Sequence, residues 1–178
     1  CIDCETALAA AEIEYSDEVS PSIFVAYTYK DAAKVFPQLE GRDVDIIIWT
    51  TTPWTLPASM AVAVHPRFDY GFYEVGDKVY LIAQGLKDKV IKATGLDLKE
   101  PIISCKGAEL ELSKAMHPFY DKEVIVVLAE YVDLETGTGC VHTAPGHGTE
   151  DSETGVRYGI EIYNPVDEPG HYYPDTQL

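Results

Sequence analysis

Two stretches of the chain concentrate polar side chains where a fold has to turn. The first is Trp49-Thr50-Thr51-Thr52-Pro53-Trp54-Thr55. It follows the β-branched run Val44–Thr50, which reads as a buried strand. Consecutive hydroxyls at the mouth of such a strand set hydrogen-bond donors and acceptors at the rim of a core. Alternation sends Thr50 and Thr52 to one face and Thr51 to the other. Pro53 and Pro57 forbid regular continuation, which points to a fixed loop shape. The plainer alternative is that threonine simply favours strands.

The second stretch is Gly137–Asp151 (GTGCVHTAPGHGTED). It puts His142, His147, Glu150, Asp151 and several glycines at a strand–loop–helix junction. Glycines let a ligand approach the backbone closely. A helix opening at Thr149 offers free N–H groups. Its dipole favours the ionised form of a carboxylate in the first turn, where Asp151 lies. Each residue also has a structural alternative. Glu150 and Asp151 are common decoration of a helix start, His142 suits a hydrogen-bonded core position, and His147 suits a loop held by backbone partners. His142, His147, Glu150 and Asp151 together suggest metal ligation, yet a His-x4-His spacing on a strand and glycine loop is not a specific metal signature. No Gly-x-Ser-x-Gly elbow, Walker A loop or Gly-x-Gly-x-x-Gly is present, which weakens the serine-hydrolase and nucleotide-binding readings.

The elements around these stretches are mostly short strands. Ser22–Tyr29, Val44–Thr50, Met60–Val64, Asp69–Val75, Val79–Ala83, Ile102–Lys106, Glu123–Leu128 and Gly139–Thr143 have strand character, with Gly76-Asp77 as a hairpin turn. Asp31–Phe36, Leu86–Ala93 and Thr149–Tyr158 have helical character, with Gly95 and Gly159 as stops. The expected class is α+β, a β-barrel-like domain with short peripheral helices. Residues 1–20 read as a tether and entry strand, and 21–178 as the functional domain.

The 178 residues suit one domain, and 46% hydrophobic with 24% charged residues is the balance of a globular chain. No apolar run is long enough to suggest a membrane span. The missing start methionine suggests an excised fragment. Cys1, Cys4, Cys105 and Cys140 do not make a secreted disulfide framework, so the expected location is cytoplasmic. A formal net charge of −17, from 13 basic and 30 acidic residues, opposes nucleic acid as a partner of the bare chain.

Taken together, the two stretches resemble the editing domain of bacterial-type isoleucyl-tRNA synthetase. Trp49–Pro57 is similar to its threonine-rich peptide, and Thr52-Pro53-Trp54 points to the isoleucyl branch rather than the valyl or leucyl branches. His142-Thr143-Ala144-Pro145-Gly146-His147-Gly148 is similar to the second editing motif. The resemblance covers nearly the whole chain. It implies the β-barrel-like editing fold of this synthetase group and a post-transfer editing hydrolase, which removes valine mischarged on isoleucine tRNA. One methylene discriminates weakly in a synthetic pocket, so a second pocket must admit valine and exclude isoleucine.

The resemblance also implies residue roles. Thr50, Thr51 and Thr52 line the pocket for the aminoacyl group and terminal adenosine, shaped by Trp49 and Thr55. His142 contacts the amino-acid side chain, and Asp151 binds the α-ammonium. Ser59, at a position where the family often has Asn, is also among the substrate-binding residues that the resemblance implies. Cys1 and Cys4 are half of a zinc site completed only in the parent enzyme, so this chain is expected to hold no zinc tightly. The fragment itself requires no cofactor, and zinc and ATP belong to the parent. The implied partners are the 3′ end of the tRNA and the rest of the synthetase, with the fragment a monomer and no membrane involved. A noncatalytic tRNA-binding module and a metal-dependent hydrolase using His142 and His147 stand as alternatives.

Overall fold

The computed structural model describes residues 19–176 continuously, together with Thr6, Ala9, Ile13, Glu14 and Asp17. The Cys1-x-x-Cys4 motif and most of the expected tether lie outside the described residues.

Among the described residues, nine strands form two sheets. The first has the order β1 (Ile23–Thr28), β2 (Asp43–Thr50), β5 (Lys78–Ala83), β4 (Asp69–Val75), β6 (Ile103–Lys106). The second has the order β7 (Lys114–Met116), β8 (Glu123–Leu128), β3 (Ala61–Val64), β9 (Cys140–Thr143). Both are mixed: β2 pairs with β5 and β3 with β8 in parallel, and the other pairs are antiparallel. β2 runs beside β9, and β1 approaches β7, where the Asp31 N–H donates to Lys114 O at 3.1 Å. One apolar core, including Tyr27, Ile46, Ile48, Val62, Phe72, Leu81 and Val126, draws on strands of both sheets. This is the α+β class anticipated from the strand and turn pattern.

Local chemistry explains the elements. β2 is buried at Val44 through Ile48 because β1 and β5 flank it and both of its faces are covered, so an unbroken apolar run is needed rather than an alternating one. Asp45 is the exception within that run, and its buried carboxylate accepts from Lys78 Nζ at 2.8 Å. β4 and β5 join through the two-residue turn Gly76-Asp77, with Gly76 at φ 61°. α1 (Ala32–Val35) is a single turn. α2 (Lys87–Thr94) and α3 (Thr149–Tyr158) each end on a left-handed glycine, Gly95 and Gly159. Strand β7 was not anticipated. Its three residues are too few to carry a period-two pattern.

Candidate active site

The threonine stretch sits where β2 leaves the sheet. Thr50 is its last residue and is buried, and Thr51 forms an exposed bend. The segment Pro53–Ala58 continues as a 3-10 helix with Pro53 in its first turn. Proline is tolerated there because the first N–H groups of a helix have no internal partner. The Thr52 N–H donates to Thr50 Oγ1 at 3.0 Å, and the Thr55 hydroxyl donates to Thr52 O at 2.9 Å. The chain thus folds back on itself and gathers three hydroxyls: Thr50 and Thr52 are 3.2 Å apart, Thr52 and Thr55 3.4 Å. Alternation does put Thr50 and Thr52 together. Thr51, exposed in the bend, lines the cavity as well.

β9 delivers His142 to the same point. Its Nε2 lies 3.4 Å from both the Thr50 and the Thr55 hydroxyl. His142 is buried, and its Nδ1 has no hydrogen-bond partner among the described residues. Burial lowers its pKa to about 4, helped by the nearby His117 and His147 rings. The ring is therefore neutral at ordinary pH, a weak base with a hydrogen-bonding edge.

The glycine loop returns Asp151 to this cavity. Asp151 lies in the first turn of α3, after the Gly148 N-cap. Its Oδ2 accepts the Ala144 N–H at 2.9 Å and its Oδ1 accepts the Tyr131 hydroxyl at 3.3 Å. Burial raises the Asp151 pKa above the usual carboxylate value, opposed by the Ala144 N–H, by Tyr131 and by His147. The helix dipole was expected to favour the ionised form; here burial pulls the other way, and the two donors oppose it only in part. His147 packs edge-on against half-exposed Trp54, ring centroids 5.4 Å apart.

These residues enclose a cavity of about 320 Å³. Trp49, Thr50, Thr51, Thr52, Thr55, His142, His147 and Asp151 all line it. Ser59 does not. It is fully buried at the end of the 3-10 helix, where its hydroxyl accepts from Tyr27 at 2.9 Å. A hydroxyl cannot reach as far as the amide of an Asn, and this one is already engaged. The cavity also has a wall that the sequence reading passed over: Tyr131, Val132, Asp133 and Thr136, ahead of Gly137. The Tyr131 hydroxyl meets Asp151 across 20 residues of sequence, while Asp133 Oδ1 accepts the nearby Glu135 N–H at 2.8 Å; neither residue sits in a recognisable motif. Cys140 is a buried core residue of β9, as expected, and Cys105 is buried likewise.

The arrangement offers hydroxyls, a neutral imidazole and a carboxylate around one small space. Among the described residues, no lysine or arginine lines it. Such walls suit a cationic group beside a polar, uncharged one. Among the described residues, no group of three or more His, Cys, Asp or Glu side chains is arranged to hold a metal ion.

Comparison with known proteins agrees with this fold. The family model of the leucyl-tRNA synthetase editing domain matches residues 32–177. The chain is 52% identical over 97% of its length to the isoleucine–tRNA ligase of Nitratidesulfovibrio vulgaris, covering 19% of that protein. It is 50% identical over its whole length to the isoleucine–tRNA ligase of Geobacter sulfurreducens, again covering 19%. The chain thus spans about a fifth of the relatives it matches. The crystal structure of GlLeuRS-CP1 is similar in fold, with TM-score 0.65 and 19% identity over 80% of this chain and 66% of that one. The P. falciparum cytosolic leucyl-tRNA synthetase editing domain superposes with TM-score 0.61 at 10% identity, over 85% of this chain and 72% of that one. With the profile matched across most of the chain and the fold shared, this chain belongs to the aminoacyl-tRNA synthetase editing-domain family.

Proposed function

We propose that this chain is the editing hydrolase of an isoleucine–tRNA ligase, acting in the cytoplasm on isoleucine tRNA that carries valine. Water adds to the ester carbonyl, the bond to the terminal ribose oxygen breaks, and that oxygen takes a proton. An aminoacyl ester is already activated, so positioning and polar stabilisation suffice without a covalent nucleophile. The observation that carries the reading is the meeting of Thr50, Thr55 and His142 in the cavity that Asp151 also lines. In this reading Asp151 holds the α-ammonium. Thr50, Thr51 and Thr52 bind the ester and ribose end, Trp49 and Thr55 shape the wall, and His142 limits side-chain size. The larger protein would supply the tRNA body's binding site, the ATP-dependent ligase activity and the remaining ligands of any zinc site begun by Cys1 and Cys4.

Deacylation of valine-charged against isoleucine-charged tRNA tests the proposal. The expected result is release of valine and sparing of isoleucine. Binding of tRNA with no deacylation would favour a binding module. Activity abolished by a chelator would favour a metal-dependent hydrolase.

A further inference from the structure

Asp151 does not stand alone on the cavity wall. A carboxylate turns broadly about its last side-chain bond unless something fixes it. Here one donor reaches each oxygen: the Ala144 N–H to Oδ2 and the Tyr131 hydroxyl to Oδ1. Tyr131 comes from the segment after β8 and lines the same cavity. We propose, resting on the ester-hydrolase reading above, that Tyr131 is a positioning residue for this site, its hydroxyl fixing the Asp151 carboxylate toward the substrate's α-ammonium.

The geometry supports this in three ways. The two donors come from different parts of the fold, so together they fix the carboxylate's plane. A carboxylate has about four acceptor positions, so one donor on each oxygen leaves others open to the cavity. The Tyr131 ring is itself held, packed against the buried cluster that includes Ala61, Ala63, Val127 and Ala129. Burial pushes its phenol up to about 12, so it stays a donor wherever the site works.

The same contact has an electrostatic consequence. Burial and neighbouring Glu150 oppose the ionised form of Asp151; the Ala144 N–H, Tyr131 and His147 favour it. Asp133 and His142 face the same cavity from its other walls. Removing the Tyr131 hydroxyl deletes one of the favourable contacts and leaves the unfavourable ones. The carboxyl then titrates at higher pH, and the acid limb of deacylation moves up with it.

The test is Tyr131→Phe in the full-length protein, with valine-charged isoleucine tRNA as substrate, from about pH 5 to about pH 8. The expected result is kcat/KM about three- to tenfold lower near neutral pH, with the acid limb displaced upward and the melting temperature little changed. A rate within about twofold of wild type with an unmoved limb overturns the inference. So does a lower melting temperature with an unmoved limb when the assay is run below that temperature, since Tyr131 would then serve only the fold. Asp151→Asn is assayed in parallel. If it is fully active, the ester-hydrolase reading of Asp151 falls and this inference with it. If it is inactive while Tyr131→Phe behaves as wild type, only the inference falls.

Discussion

The Nε2 of His142 lies 3.4 Å from the hydroxyl of Thr50, although 92 residues separate the two in sequence. The contact joins β9 to the end of β2 and brings the two sequence motifs into one wall. A neutral ring at that place limits the room for a substrate side chain. His142→Ala should enlarge the cavity, so that the variant begins to deacylate correctly charged isoleucyl-tRNA while keeping activity on the valine ester. Loss of valine deacylation with no gain against isoleucine would assign His142 to catalysis or to the fold instead.

The buried imidazole also ties stability to pH. The His142 pKa falls from 6.5 to about 4 on folding. Below about pH 6.5 the unfolded chain takes up a proton that the folded chain refuses. Stability is therefore intact above that value and declines as pH drops toward 4, by up to about 1.4 kcal/mol per pH unit for one such group. His117 and His147 shift in the same direction and add to the effect. Asp151, shifted upward, opposes it. Chemical denaturation near pH 7.5 and pH 5 should find the chain less stable at the lower value, with a smaller difference for His142→Gln. An equal difference in both would remove His142 as a cause.

Gly139 tests the backbone of the cavity. It has φ 74°, and a Cβ there would come within 2.3 Å of the Ala83 Cβ. Gly139→Ala combines a strained conformation with overpacking and should cost about 2–4 kcal/mol. Thermal melting reads this directly, and a variant as stable as wild type would mean that the loop has another accessible path.

The charge of the chain sets its tRNA affinity. With 13 basic against 30 acidic residues, the separate chain has little to neutralise a phosphate backbone. Within the larger protein, other parts would raise the effective concentration of the acceptor end. The separate chain should bind tRNA far more weakly than the full-length protein, and more weakly still as salt rises. Titration of labelled tRNA at two salt concentrations checks this, and tight binding that persists at high salt would contradict it.

Much of this was legible in the sequence because the signals were local. The run Val44–Thr50, the turn at Gly76-Asp77 and the stops at Gly95 and Gly159 each follow from a few adjacent residues, and the structure has them at those places. The threonine and glycine stretches were legible as motifs, and they do line one cavity. Relationships set by distant partners were not legible. The parallel pairings of β2 with β5 and of β3 with β8 leave no periodic trace. Tyr131 meets Asp151 across 20 residues of sequence, and Asp133 lines the cavity with no motif around it. Ser59 looked like a site residue by position, and only its bond to Tyr27 reveals that it faces the core.

Asp151 is the centre of the account, and Asp151→Asn is its most direct test. The substitution keeps the shape and an oxygen able to accept the Ala144 N–H, which Asp151 now accepts at 2.9 Å, but removes the charge. A charge-assisted hydrogen bond to the ammonium, worth about 1.5–3 kcal/mol, would be lost. Deacylation of valine-charged isoleucine tRNA by the full-length protein should fall by about 10- to 100-fold, more if the ester is then misaligned, while the melting temperature stays close to wild type. A well-folded Asp151→Asn variant that deacylates valyl-tRNA at the wild-type rate would contradict the account.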